Sequence, residues 1–124
     1  MSQDFRAPGA GATQLKRYWI DPDRWDDYLV VWRKIAAVRQ RAGFEILFAC
    51  ADRQANIFTW AIRHADFNDG AARYYADPER KAVSRTDYDP ATGAYSNDAS
   101  RQGQMIEDLI QNAEITFVDV EPIP

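Results

Sequence analysis

The chain predicts an α+β fold, an antiparallel sheet with helices packed on one face, in the order strand, helix, hairpin of two strands, helix, strand. Three observations predict it. A long amphipathic helix lies between an Asp-Pro start at Asp21-Pro22 and a glycine stop at Gly43. Two alternating apolar runs follow, joined only by the short polar stretch 52–56. A second, broken helical segment and a last alternating run close the pattern. At 124 residues there is room for one domain with one modest core.

Residues 1–13 are rich in Gly, Ala and Pro and read as a flexible N-terminal tail, leaving 14–124 as the folded domain. The first strand is expected at 15–20. Asp21 then supplies an N-cap carboxylate, and Pro22 suits the first helical position, where its missing N–H is no loss. Ile20 and Trp25 stand where a hydrophobic staple would put them. The acids Asp21, Asp23, Asp26 and Asp27 belong to a first helical turn, where the helix dipole favours them, and no metal need be invoked.

The helix runs to Ala42 and ends at Gly43, the residue suited to a left-handed cap. At about 100° per residue, Trp25, Tyr28, Leu29, Trp32, Ile35, Ala36 and Val38 share one broad face that must lie on a sheet. Arg39 projects from the same face. A cation there either snorkels to the helix end or is a buried guanidinium facing a carboxylate or a pocket. The cluster Arg33, Lys34, Arg39 and Arg41 otherwise suits the negative end of the dipole.

Strands are expected at 44–51 and 57–63, joined as a hairpin. Phe44, Ile46, Phe48 and Cys50 alternate on one side of the first, which makes Cys50 a small core residue. Phe58, Trp60, Ile62 and His64 share one side of the second. A helical piece at 66–75 and another opened by Asp77-Pro78 meet at Tyr74 and Tyr75. Residues 84–104 form a polar, turn-rich insertion. Its Asp87–Asp98 stretch lacks the glycine and the fifth-position oxygen of a calcium loop, so a Pro- and Gly-bearing turn between Tyr88 and Tyr95 is the reading. A short helix at 104–111 and a final strand at 114–120 complete the order.

Composition narrows the function. A net charge of −4 disfavours nucleic-acid binding, which wants a basic face. No run approaches the roughly 18–20 apolar residues of a spanning helix, and residues 1–13 lack the apolar region of a signal peptide. With one cysteine and no export signal, the expected location is cytoplasmic. The second sheet face also carries apolar residues, and a two-fold-related second copy is the expected cover.

Tyr18-Trp19-Ile20-Asp21-Pro22 with Trp25, Leu29 and Trp32, then Arg39, Gly43-Phe44 and Phe58-x-Trp60, then Tyr74-Tyr75-Ala76-Asp77-Pro78-Glu79-Arg80, resemble the NIPSNAP family. That family is a branch of the dimeric α/β-barrel superfamily, and 117–122 resembles its closing strand. The resemblance implies a ferredoxin-like βαββαβ unit, a homodimer forming a dimeric α/β barrel, and a cavity between sheet and helices. It implies no particular chemistry. Small monooxygenases and haem-degrading enzymes occur elsewhere in the superfamily.

Two readings of function follow. No nucleophile–base pair, metal-ligand spacing or phosphate loop is recognisable, which favours a small-molecule-binding or interaction domain with no cofactor. Its pocket would be walled by Trp32, Trp60, Tyr74 and Tyr75, with Arg39, His64 and Arg80 as polar groups for a small apolar or anionic ligand. The alternative is a small monooxygenase or haem-linked enzyme. There His64 would serve as general base or axial ligand beside Trp60 or Tyr74.

Overall fold

In the computed structural model, residues 7, 9, 11–101 and 105–124 are described. Strand β1 (Thr13–Ile20) leads to helix α1 (Trp25–Arg41), then β2 (Glu45–Asp52) and β3 (Ile57–Arg63). Helices α2 (Phe67–Ala76) and α3 (Pro78–Lys81), strands β4 (Thr86–Asp89) and β5 (Ala94–Asn97), helix α4 (Ile106–Leu109) and strand β6 (Ile110–Val118) follow. The main sheet has the order β2-β3-β1-β6 with antiparallel neighbours, and β4-β5 is a separate hairpin. This is the ferredoxin-like βαββαβ arrangement with a hairpin and one helical turn inserted before the last strand.

The core lies between the sheet and α1 and α2. Tyr28 meets Phe58, and Trp32 meets both Phe58 and Trp60, at edge-on centroid distances of 5.2, 4.8 and 5.6 Å, geometry that suits the ring quadrupoles. Burial pushes the Tyr28 phenol well above its usual pKa.

Several boundaries depart from the sequence reading. Asp21-Pro22 makes a turn rather than the helix start: Asp23 N–H donates to Asp21 Oδ1 and Arg24 N–H to Asp21 O. Helix α1 opens one turn later, with Arg24 at the N-cap. The reason lies in the sheet, where Ile20 N–H to Asn56 O and Asp21 N–H to Leu109 O keep this segment extended. The C-terminal end is as expected: Ala42 caps the helix and Gly43 takes φ +92°.

Cys50 is a second correction. A bulge between Ile46 and Phe48 shifts the β2–β3 register. Ile46 opposite Ile62 stays on the helix side, but Phe48 opposite Ala61 and Cys50 opposite Thr59 turn to the outer face. Phe48 is 46% exposed and Cys50 is exposed. One extra residue in a strand reverses the facing of everything after it. The third correction is at the end of the chain. The helix expected at 104–111 is only α4, and β6 begins at Ile110, paired with Ile20 through a second bulge. Gln104 itself lies outside the described residues.

The broken helical segment is as read. Asp66 accepts from Asp69 N–H at the start of α2, and Asp77 from Glu79 N–H at the start of α3. In the insertion, Tyr88 pairs with Tyr95 across a turn in which Gly93 N–H donates to Asp89 O. Residues 1–6, 8 and 10 of the expected tail lie outside the described residues. Ala7 N–H donates to Asn68 Oδ1, and Gly11 N–H to Ala65 O. No helix among the described residues is long and apolar enough to cross a membrane.

Candidate functional site

Between the sheet and the helices lies a cavity of about 50 Å³. Its floor is Lys16 and Tyr18 of β1, Trp60 of β3 and Ile115 of β6; its roof is Trp32, Ile35 and Arg39 of α1. Helical spacing aligns these three on one side of α1. Tyr74, Tyr75 and Arg80 close one side. Ser84, Thr86, Ile106, Glu107 and Ile110 close another, so residues at both ends of the insertion wall the cavity. Six of the seven site residues read from the sequence are thus brought together: Trp32, Arg39, Trp60, Tyr74, Tyr75 and Arg80.

Arg39 is only 2% exposed, which decides for the buried guanidinium over snorkelling. Its Cζ stacks 3.6 Å from the centroid of Tyr74 and 4.8 Å from that of Phe44, cation–π contacts strengthened by the lack of water. On the other side Arg80 Cζ lies 4.8 Å from the Tyr75 centroid. The two tyrosines meet edge to face with centroids 5.0 Å apart, and each cation lies within 6.0 Å of both rings.

Arg80 has a second task. Its Nη1 donates to Thr86 O, and its Nη2 to Tyr75 O and Asp87 Oδ1 at 3.2 Å each. It therefore ties the end of α2 to the first strand of the insertion. Glu107 is likewise engaged, accepting from Ser84 Oγ at 2.7 Å and Arg85 N–H at 2.6 Å. Arg85 meets Asp108 through two parallel bonds of 2.8 and 2.9 Å. The Arg85 hydrogen bond holds the Asp108 carboxyl below its usual pKa.

His64 stands elsewhere. Its Nε2 lies 2.9 Å from Ala42 O, and its Nδ1 accepts from Asp66 N–H at 2.9 Å. That pair of bonds specifies the neutral tautomer with the proton on Nε2. The ring fills the gap between Gly43 and Gly70: a Cβ at Gly43 would fall 2.7 Å from Nε2, and one at Gly70 closer still to the ring. His64 does not line the cavity. It joins the end of α1 to the start of α2, and both nitrogens that a base or an iron ligand would use are committed.

Of the buried polar residues that the sequence reading does not reach, two lie on the helix side of β1. Lys16, 2% exposed, lies on the helix side of β1 with its Nζ 5.8 Å from the Trp60 centroid. Gln14, fully buried, is two residues before it on the same side. Alternation along Gln14, Lys16, Tyr18 and Ile20 was the available signal; the two polar residues precede the aromatic that marks the face.

The spare hydrogen-bonding capacity of the wall has one character. Trp32 Nε1, Trp60 Nε1, Arg80 Nε and Thr86 Oγ1 are buried without a hydrogen-bond partner among the described residues. Three of these are donors only, and the hydroxyl can donate. Tyr28 Oη and the Gln14 amide share that condition outside the cavity. No group of three or more His, Cys, Asp or Glu that could hold a metal ion forms among the described residues.

No protein-family model matches the chain, and no curated protein matches it. Solved structures do. A candidate antibiotic biosynthesis monooxygenase from Bacteroides thetaiotaomicron superposes with a TM-score of 0.58 over 93% of this chain and 91% of its own, at 21% identity. A NIPSNAP family protein of unknown function from Agrobacterium tumefaciens superposes with a TM-score of 0.58 over 93% of this chain and 92% of its own, at 15% identity. Identities this low show a shared fold, and the NIPSNAP resemblance read from the sequence is borne out at that level.

Proposed function

We propose that this chain is a binding protein for a small anion, held in the cavity with Arg39 as its principal partner. One observation carries the reading: the wall is cationic and rich in unspent donors. Lys16, Arg39 and Arg80 are the buried cations, and the one carboxylate among the lining residues, Glu107, already accepts two bonds. Trp32, Trp60 and Arg80 add N–H groups with no acceptor among the described residues. A ligand rich in acceptor oxygens supplies what such a wall lacks. A purely apolar ligand would leave those donors unsatisfied, so the anionic form of the sequence reading is favoured.

A second copy on the outer sheet face belongs to the same proposal, as does a cytoplasmic location, which rests on the single free cysteine. That outer face carries Leu15, Trp19, Phe48 and Ile57. The pair Arg17–Glu114, 3.8 Å apart, supplies both signs of charge to a self-complementary contact. An oxygenase reading keeps some support from the monooxygenase-like neighbour. It would have to use the cavity, because the bonds of His64 leave neither ring nitrogen for a base or a haem iron.

The test is calorimetric titration of the protein and of Arg39→Met with short-chain carboxylates, alongside native mass spectrometry. Losing charge-assisted bonds worth about 1.5–3 kcal/mol weakens binding by one to two orders of magnitude while the dimer mass persists. Equal affinity in the two proteins would remove Arg39 from the site. A monomer mass for the unaltered protein would sink the second copy.

A further inference from the structure

We propose that Lys16 is a nucleophile whose amine condenses with the ketone of a short-chain 2-oxo carboxylate bound in the cavity. This rests on the anion-site reading above and names the substrate class for that site.

The chain has three lysines, Lys16, Lys34 and Lys81. Lys34 and Lys81 are exposed; Lys16 is 2% exposed. The strand register accounts for the difference. Lys16 lies opposite Trp60 on β3 and Ile115 on β6, in the middle of the sheet and on its helix side. Lysine is seldom found so deep in a protein, and here it lines the cavity. The same small cavity is lined by Arg39, Arg80 and Glu107 as its other charged groups. Guanidinium groups do not give up a proton at ordinary pH. Among the basic groups that line the cavity, only the Lys16 amine can therefore supply a nitrogen lone pair.

The cavity also limits the partner. At roughly 10–15 Å³ for one water on the same measure, about 50 Å³ suits a ligand of only a few heavy atoms. A carboxylate matches the planar fork of Arg39, and a neighbouring ketone carbon then falls to the one amine in the wall. In the step itself, the nitrogen lone pair attacks the C2 carbonyl carbon and the carbonyl oxygen takes up a proton. The resulting carbinolamine loses water to leave a C=N bond to Lys16. Amine plus ketone gives imine plus water, with no change in oxidation state.

Pyruvate is the probe, and borohydride the trap: its hydride reduces C=N to a stable secondary amine. Intact mass and peptide mapping of the full chain should show one adduct per chain, on the peptide holding Lys16. Labelling there should exceed that at Lys34 or Lys81 by about tenfold or more. Lys16→Met should abolish it. Lys16→Arg, which keeps the charge but forms no imine, serves as a second variant should the first not fold. Absence of an adduct, or equal labelling of all three lysines, overturns the proposal. Propionate, which has no ketone, separates it from the reading beneath. If propionate and pyruvate bind without an adduct, the nucleophile falls and the anion site stands. If the Lys16 adduct forms but neither Arg39→Met nor propionate affects it, the anion site falls and the nucleophile stands. If nothing binds and nothing is trapped, both fall.

Discussion

The His64 corner and the cavity both lie between sheet and helices, and both bury polar groups, yet they are finished differently. At His64 each ring nitrogen has a bond, to Ala42 O and from Asp66 N–H, and two glycines leave room for the ring and nothing more. Around the cavity, indole and guanidinium N–H groups of Trp32, Trp60 and Arg80 are buried without an acceptor among the described residues. A satisfied buried polar group specifies a packing arrangement. An unsatisfied one costs stability, and a bound ligand can recover that cost. Trp25 belongs with the first kind, because its Nε1 donates to Asn56 Oδ1 at 2.8 Å. The three tryptophans thus divide into one structural residue and two that suit a site.

The largest effect that sharpens this contrast is expected at Gly43. In Gly43→Ala, a side chain must take φ +92° and press on His64, for a combined cost of about 3 kcal/mol. Denaturant unfolding should show that loss, with ligand affinity unchanged under folding conditions. A variant as stable as the parent would mean that the corner is loosely packed, and the contrast would fail. The reverse pattern is expected at Trp60. Trp60→Phe removes an N–H that has no acceptor among the described residues, so unfolding should register only the smaller ring, about 1 kcal/mol or less. Calorimetry should show affinity for the anion falling about threefold to tenfold. A purely structural Trp60 would give the opposite: lower stability and unaltered affinity.

The smallest effect concerns the wall that the insertion lends to the cavity. Asp108 is held below the usual carboxyl pKa by the hydrogen bond from Arg85. A carboxyl lowered on folding adds stability above its unfolded pKa, and that stability fades as pH falls through the folded one. The Arg85–Asp108 pair should therefore persist through the ordinary range near about 3.9 and part only below it. Carbon NMR of the Asp108 carboxyl should show this depressed midpoint, returning to the ordinary range in Arg85→Met. An ordinary midpoint in both proteins would mean that the wall is held by the bonds of Glu107 and Arg80 without the Arg85–Asp108 pair.

Much of this was legible in one dimension. The helix stop at Gly43, the helical piece from residue 66, the aspartate cap at Asp77, the Tyr88–Tyr95 turn and the order of strands all follow from local backbone preference and apolar period. So do six cavity residues, because Trp32 and Arg39 share a helix face and Tyr74 and Tyr75 stand at a helix break. Arg39 stands out as a cation on an apolar face, a conflict visible in the sequence alone.

What the sequence by itself determined, then, is which residues are apolar on which period, where the chain turns, and that one arginine breaks the pattern. Tertiary structure decided the rest. A bulge turned Phe48 and Cys50 outward, hydrogen bonds from the sheet kept Asp21 from capping a helix, and Ala42 O and Asp66 N–H claimed His64. Pairing across the sheet put Lys16 beneath Trp32 and Arg39, and the ends of the insertion closed the wall around them. The physical reason is shared: register and hydrogen-bond partnership are relations between segments, most of them distant in sequence. Which polar group ends satisfied or spare is settled only when those segments meet.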